Sequence, residues 1–216
     1  KREGALMAGR PFAWEKSYPP GLKWDAPVTP FVLTDILDEQ EQVRGDSPAI
    51  EFRGQEISYT KLSQLAGQLG AGLLHLGVRK QDRVALYVPN APCHPVAVFG
   101  VFRAGGIAVQ LSPLDAPAEL AFKLDDCGAR ILITTDLESL LPQALALLDQ
   151  GKVDRLIVIS DADFGPEEAP RMAIPVRPDV VLFGAFSHLC KPAAWPVLRP
   201  SDIALLQYTG GTTGHP

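Results

Sequence analysis

Arg83-Val-Ala-Leu-Tyr-Val88, ended by Pro89-Asn90, leads through Pro95-Val-Ala-Val-Phe-Gly-Val-Phe-Arg-Ala104 and a Gly105-Gly106 break into Ile107-Ala-Val-Gln-Leu111. The two outer runs are short, apolar and without polar alternation, the pattern of strands buried on both faces. The middle run is too long for such a strand. It starts at a proline and ends at a double glycine, which marks a buried helix. Strand, helix and strand in this order form a crossover unit, and only parallel strands need one.

The same alternation continues on both sides. Pro117 suits the first position of a helix, with Glu119 in its first turn, running to about Cys127 and ending at Gly128. Arg130–Thr134 is a predicted strand, Leu137–Leu148 a helix and Leu156–Ile159 a strand. Upstream, Ala49–Ser58 reads as two strands around a turn at Gly54. Thr60 is the expected cap of a helix whose Leu62, Leu65, Leu69, Leu73 and Leu76 repeat at helical spacing, with Gly77 as its left-handed end. This leucine stripe is core. The fold class is therefore α/β, a mostly parallel sheet flanked by helices.

Four stretches follow. Residues 1–48 form an arm, extended by Pro11, Pro19, Pro20, Pro27 and Pro30, and a short helix with Phe31, Leu33, Ile36 and Leu37 on its apolar side. Residues 49–160 form the α/β unit. Residues 161–200 form a proline-rich connector, with one short helix expected near Val181–Leu189. Residues 201–216 comprise a buried strand, Asp202–Tyr208, and the start of a loop, Thr209-Gly-Gly-Thr-Thr-Gly-His-Pro216.

Composition excludes several classes. Hydrophobic residues make up 46% and charged residues 21% of 216, an ordinary globular balance. The net charge is −5 and no Lys/Arg block occurs, which argues against nucleic-acid binding. Cys93, Cys127 and Cys190 are scattered and odd in number, so neither a disulfide framework nor a cysteine zinc site is expected. A cytoplasmic location is the simplest expectation. The apolar run Val96–Leu111 is cut by Arg103, Gly105 and Gly106, too short and broken to span a bilayer. Peripheral membrane contact stays open.

The loop carries the chemistry. Gly210, Gly211 and Gly214 let a backbone approach a ligand closely, and successive N–H groups can then cup an anion. Thr209, Thr212 and Thr213 add hydroxyls that suit phosphate oxygens and a bound Mg²⁺. The loop ends Gly214-His215-Pro216 rather than Gly-Lys-Ser/Thr, so it is not a Walker A loop. On composition alone a plain glycine-rich turn is equally good. His75, His94, His188 and His215 receive no catalytic role, and the scattered Asp and Glu residues are a solvated surface.

Tyr208-Thr-Gly-Gly-Thr-Thr-Gly-His-Pro216 resembles the signature loop of the adenylate-forming (AMP-binding) superfamily, which includes acyl-CoA synthetases, peptide-synthetase adenylation domains and firefly luciferase. Together with Leu205-Leu-Gln207 it is similar to bacterial long-chain fatty acid–CoA ligases. So are Trp14-Glu-Lys-Ser-Tyr-Pro-Pro-Gly21, Tyr59-Thr-Lys-Leu62, Asp82–Leu86 with Pro89-Asn90, Val98–Gly105, Ser112-Pro-Leu114 with Pro117-Ala-Glu-Leu120, and Asp126-Cys-Gly128. The chain departs from the family at Gln81, usually Gly, and at Ala116, usually a capping Thr, where Asp115 is expected to compensate in part.

The resemblance implies an N-terminal part of an AMP-forming acid–CoA ligase using ATP, Mg²⁺, CoA and a fatty acid or other carboxylic acid. Thr209, Gly210, Gly211, Thr212, Thr213 and Gly214 would hold the ATP phosphates, with Thr209 as the Mg²⁺ contact. No catalytic residue is expected within the 216 residues, and the fragment alone is expected to be inactive. Ligases for dicarboxylic, medium-chain or aromatic acids, an adenylation domain feeding a carrier protein, and a non-catalytic binding or dimerisation domain are the alternatives. A homodimer is suggested by analogy alone.

Overall fold

The computed structural model describes residues 12–23, 25–166, 168–189, 192 and 194–209. They fall into two compact units, divided between Phe31 and Val32. In the first, a single 3-10 turn, Glu15–Ser17, follows Trp14, whose ring stacks on Phe12 at 5.0 Å. The Glu15 carboxylate accepts from the Phe12 amide and fastens the turn.

The second unit opens with helix α1 (Leu33–Arg44), then strands β1 (Pro48–Phe52) and β2 (Gln55–Ser58), an antiparallel hairpin. Arg53 and Gly54 both have positive φ at its turn, the conformation a two-residue hairpin loop requires. Helix α2 (Tyr59–His75) follows at once. Its cap is Ser58, whose hydroxyl accepts from the Lys61 amide, so the helix starts earlier than the expected Thr60 cap. Next come β3 (Arg83–Leu86), α3 (Cys93–Arg103), β4 (Ile107–Gln110), α4 (Pro117–Cys127), β5 (Ile131–Thr135), α5 (Leu141–Asp149), β6 (Arg155–Ile159), β7 (Val180–Leu182) and β8 (Leu205–Gln207).

Strands β3 to β8 form one sheet in the order β7-β6-β5-β3-β4-β8, every described neighbour pair parallel. The chain moves one way from β3 to β4 and the other way from β4 through β5 and β6 to β7. Right-handed crossovers in opposite directions place their helices on opposite faces. Accordingly Val96, Ala97 and Val101 of α3 pack with α2 on one side, over Val84, Leu86, Ile133 and Ile157. Leu120 and Leu124 of α4 and Leu141 and Ala144 of α5 pack on the other, over Ala85, Val109, Leu132 and Val158. Helices α2 and α3 approach closely because glycines meet there: a Cβ on Gly70 would lie 3.0 Å from the Gly100 carbonyl oxygen. The α/β class with a mostly parallel sheet flanked by helices is thus what the structure shows.

Three further local expectations are corrected. The apolar stretch near Val181–Leu189 is not a helix but β7 followed by a 3-10 turn, Phe183–Phe186. Periodicity cannot separate such short runs, and Val180 and Val181 find an open edge on β6. Strand β8 covers only Leu205–Gln207 and is an edge among the described residues, with Leu205 42% exposed rather than buried. Asp115 does not cap α4: its carboxylate accepts from the Ser112 amide and from Lys123.

Candidate functional site

In a parallel sheet whose connections reverse direction, ligands bind outside the carboxyl ends of the strands near the reversal. Here that edge lies at the ends of β3, β4, β5, β6 and β8, and its two halves differ.

At the ends of β5 and β6 the polar groups consume one another. Asp136 (4% exposed) accepts from the Ser160 hydroxyl and the Asp161 amide, both at 2.8 Å. Asp161 (2% exposed) pairs with Arg53 of the hairpin turn at 2.6 Å. The hydrogen bond with Asp161 also raises the Arg53 pKa. Such a knot ties the hairpin to the sheet, while the buried hydroxyls of Thr134 and Thr135 at the end of β5 have no hydrogen-bond partner among the described residues.

The ends of β4 and β8 are more open. Gln110 and Gln207 stand opposite each other in register. The Gln110 amide oxygen lies 3.0 Å from Nε2 of His94, in the first turn of α3. His94 has no catalytic role in the sequence analysis, and no local pattern in the chain links it to Gln110. The Gln207 amide donates to the Tyr208 carbonyl at 3.1 Å, and Thr209, directly after, is exposed. Gly210, Gly211, Thr212, Thr213 and Gly214 lie outside the described residues, as do His215 and Pro216. Of the predicted phosphate-holding residues the structure therefore places Thr209, at the carboxyl edge.

Tyr208 fixes the point from which the loop departs. Its hydroxyl donates to the Asp126 carboxylate at 2.6 Å and lies 3.1 Å from the Lys123 carbonyl. Burial, then the bond to Asp126, pushes its pKa up, so the phenol stays protonated and able to donate at neutral pH. The Lys123 ammonium lies 5.6 Å from the Tyr208 ring centre and pairs with Asp115 and Glu119. Burial works against that ammonium, but these partners outweigh it and the pKa is raised. The last turn of α4 thus grips the residue before the loop. Sequence reading missed this grip, since Asp126 and Tyr208 are far apart in the chain.

Among the described residues no three His, Cys, Asp or Glu side chains gather as a metal site. Thr209 can offer one hydroxyl, which suits a divalent ion that arrives with phosphate oxygens around it. Cys93 and Cys127 are buried free thiols; burial pushes that of Cys93 up to about 12, so it is no nucleophile.

The sequence that builds this parallel sheet and its reversal matches a known family model, that of the AMP-binding enzyme, over residues 37–216. The chain belongs to this AMP-binding family. It is 31% identical over 217 residues to the long-chain-fatty-acid–CoA ligase of Bacillus subtilis, covering 94% of this chain and 38% of that protein. It is 27% identical to the acetyl-coenzyme A synthetase of Methylobacterium radiotolerans, covering 96% of this chain and 34% of that protein. Among solved structures it resembles the anthranilate CoA ligase AuaEII in complex with anthranoyl-AMP, with a TM-score of 0.72 and 26% identity, covering 90% of this chain and 35% of that one. The AMP-binding chain thus spans little more than a third of the length of these relatives. No helix among its described residues is long and apolar enough to cross a membrane.

Proposed function

We propose that the full-length protein carrying this chain is an ATP-dependent, AMP-forming acid–CoA ligase whose acid is a fatty acid. The observation that carries the reading is the delivery of Thr209 by β8 to the carboxyl edge of the sheet, beside the reversal, at the head of a loop made of glycine and threonine. The fatty-acid choice rests on the similarity to long-chain ligases.

In this reading a substrate carboxylate attacks the α-phosphorus of ATP and pyrophosphate leaves. The CoA thiolate then displaces AMP from the acyl-adenylate to give the thioester. Thr209, Gly210, Gly211, Thr212, Thr213 and Gly214 hold the β- and γ-phosphates and align the leaving group, so their contribution is positioning and charge stabilisation. Thr209 contributes a hydroxyl towards Mg²⁺, which supplies charge neutralisation when bound. Two free buried thiols among the described residues suit a cytoplasmic setting.

The test is carboxylate-dependent ATP–pyrophosphate exchange by the full-length protein, across acetate to oleate, dicarboxylates and benzoate. A peak with long aliphatic acids is expected. A peak elsewhere would replace the fatty acid, and no exchange with any acid would overturn the ligase reading.

A further inference from the structure

Gln81 has φ +68, in the left-handed region that side-chain-bearing residues avoid. Its backbone amide donates to the Gly105 carbonyl at 2.7 Å, just before β4. Its side chain reaches past the start of β4 to the chain entering β8. There its amide nitrogen donates to the Ile203 carbonyl at 3.1 Å and its amide oxygen accepts from the Ile203 amide at 3.3 Å. A side-chain amide thus bonds both backbone groups of one residue, as a neighbouring strand would.

Lys80, next in the chain, reinforces the grip. Its ammonium donates to the Val197 carbonyl at 2.7 Å and pairs with Asp202 at 2.6 Å. Asp202 in turn accepts from the Arg199 amide at 2.7 Å. Beyond this point β8 holds only three residues before Tyr208 and Thr209, and its backbone pairs on one side alone among the described residues.

We propose that Gln81 is a positioning residue for ATP binding: it sets the register of β8 at its entrance, and through that short strand the place from which Thr209 meets ATP. The proposal rests on the functional reading above. The uncommon backbone at Gln81 is retained because the left-handed turn aims the side chain at Ile203. Glycine would relax the backbone and lose the grip. Asparagine tolerates the same backbone but is one methylene too short to make both bonds.

The test compares the full-length wild type with Gln81→Gly and Gln81→Asn. Three quantities are read: KM for ATP and for the acid in ATP–pyrophosphate exchange, thermal unfolding, and hydrogen exchange of a peptide spanning residues 200–206. Both variants are expected to raise KM for ATP about three- to tenfold, with KM for the acid within about twofold. The peptide should exchange faster in both. Gln81→Gly should unfold at or above the wild-type temperature, which separates misplacement of the loop from general loosening. An active wild type with KM for ATP unchanged in both variants overturns the positioning role. So does a rise confined to variants that also melt lower. A wild type that exchanges with no acid overturns the functional reading, and the assignment to ATP falls with it.

Discussion

Strands β3 and β8 lie on either side of β4 and run in the same direction, yet different forces hold them. Val84, Ala85 and Leu86 of β3 are fully buried, with α2 and α3 on one face and α4 on the other. In β8, Leu205 is 42% exposed, and the strand is fastened by polar side chains from distant segments: Lys80 and Gln81 at its entrance, Asp126 through Tyr208 at its exit. A strand held by burial is insensitive to small displacements because many contacts share the load. A strand held by a few directed bonds has its position specified by those bonds and can be shifted by removing one. The first arrangement suits a scaffold and the second suits the delivery of a loop to a ligand.

The largest expected effect is on the scaffold. Leu86→Ala should cost about 2–5 kcal/mol by removing buried methyl groups and leaving a cavity. It is read as a lower urea midpoint for the transition that reports on the AMP-binding unit in the full-length protein. A cost well under about 1 kcal/mol would mean that burial does not hold β3, and the contrast would fail.

Next comes the loop itself. Thr212→Ala in the full-length protein should slow adenylation at least about tenfold, or about 1.4 kcal/mol of transition-state stabilisation, without moving the urea midpoint. Unchanged adenylation kinetics would remove the proposed phosphate role.

Tyr208→Phe keeps the ring under Lys123 and deletes the hydroxyl bond to Asp126. A loss of about 0.5–1.5 kcal/mol is expected, appearing mainly as a weaker apparent affinity for ATP. An equal loss in Asp126→Ala, with no further loss in the double variant, would show that the two residues act as one tether. Additive losses would break that pairing.

The smallest effect is electrostatic. A hydrogen bond from Lys80 holds the partly exposed Asp202 carboxyl below its usual range. A lowered carboxyl pKa contributes stability that is complete above the ordinary Asp value of about 4 and fades as the pH falls through the lowered folded value. Lys80→Ala should therefore unfold slightly sooner than wild type near pH 7, and the gap should close as the pH falls through and below about 4. A gap that persists in acid would assign the effect to the Lys80 bond with the Val197 carbonyl instead.

Much of this architecture was legible in the chain. The Gly77, Gly105 and Gly128 stops, Pro117 at a helix start and the unalternating apolar runs at Arg83–Val88 and Ile107–Leu111 each act locally, and the α/β order follows from them. The glycine- and threonine-rich composition of Thr209–Gly214 is likewise carried by adjacent residues. The polar fastenings were not. Gln81 and Ile203, Asp126 and Tyr208, and Arg53 and Asp161 are each about 80 or more residues apart, and no local pattern connects them. Strand β7 failed for a related reason: Val180–Leu182 is three residues long and becomes a strand only because β6 offers an edge.

The sequence by itself determined, β7 apart, which segments coil and which extend, because capping, glycine and proline geometry and hydrophobic period act within a few residues. It also determined the glycine- and threonine-rich composition of the loop on which the proposed function rests. Only the tertiary structure decided that β8 sits at the flank of β4, half exposed, and that Gln81 takes a left-handed turn to reach it. Strand neighbours and side-chain partners are chosen by competition among all segments for the same backbone groups, and that competition is settled when the whole sheet assembles.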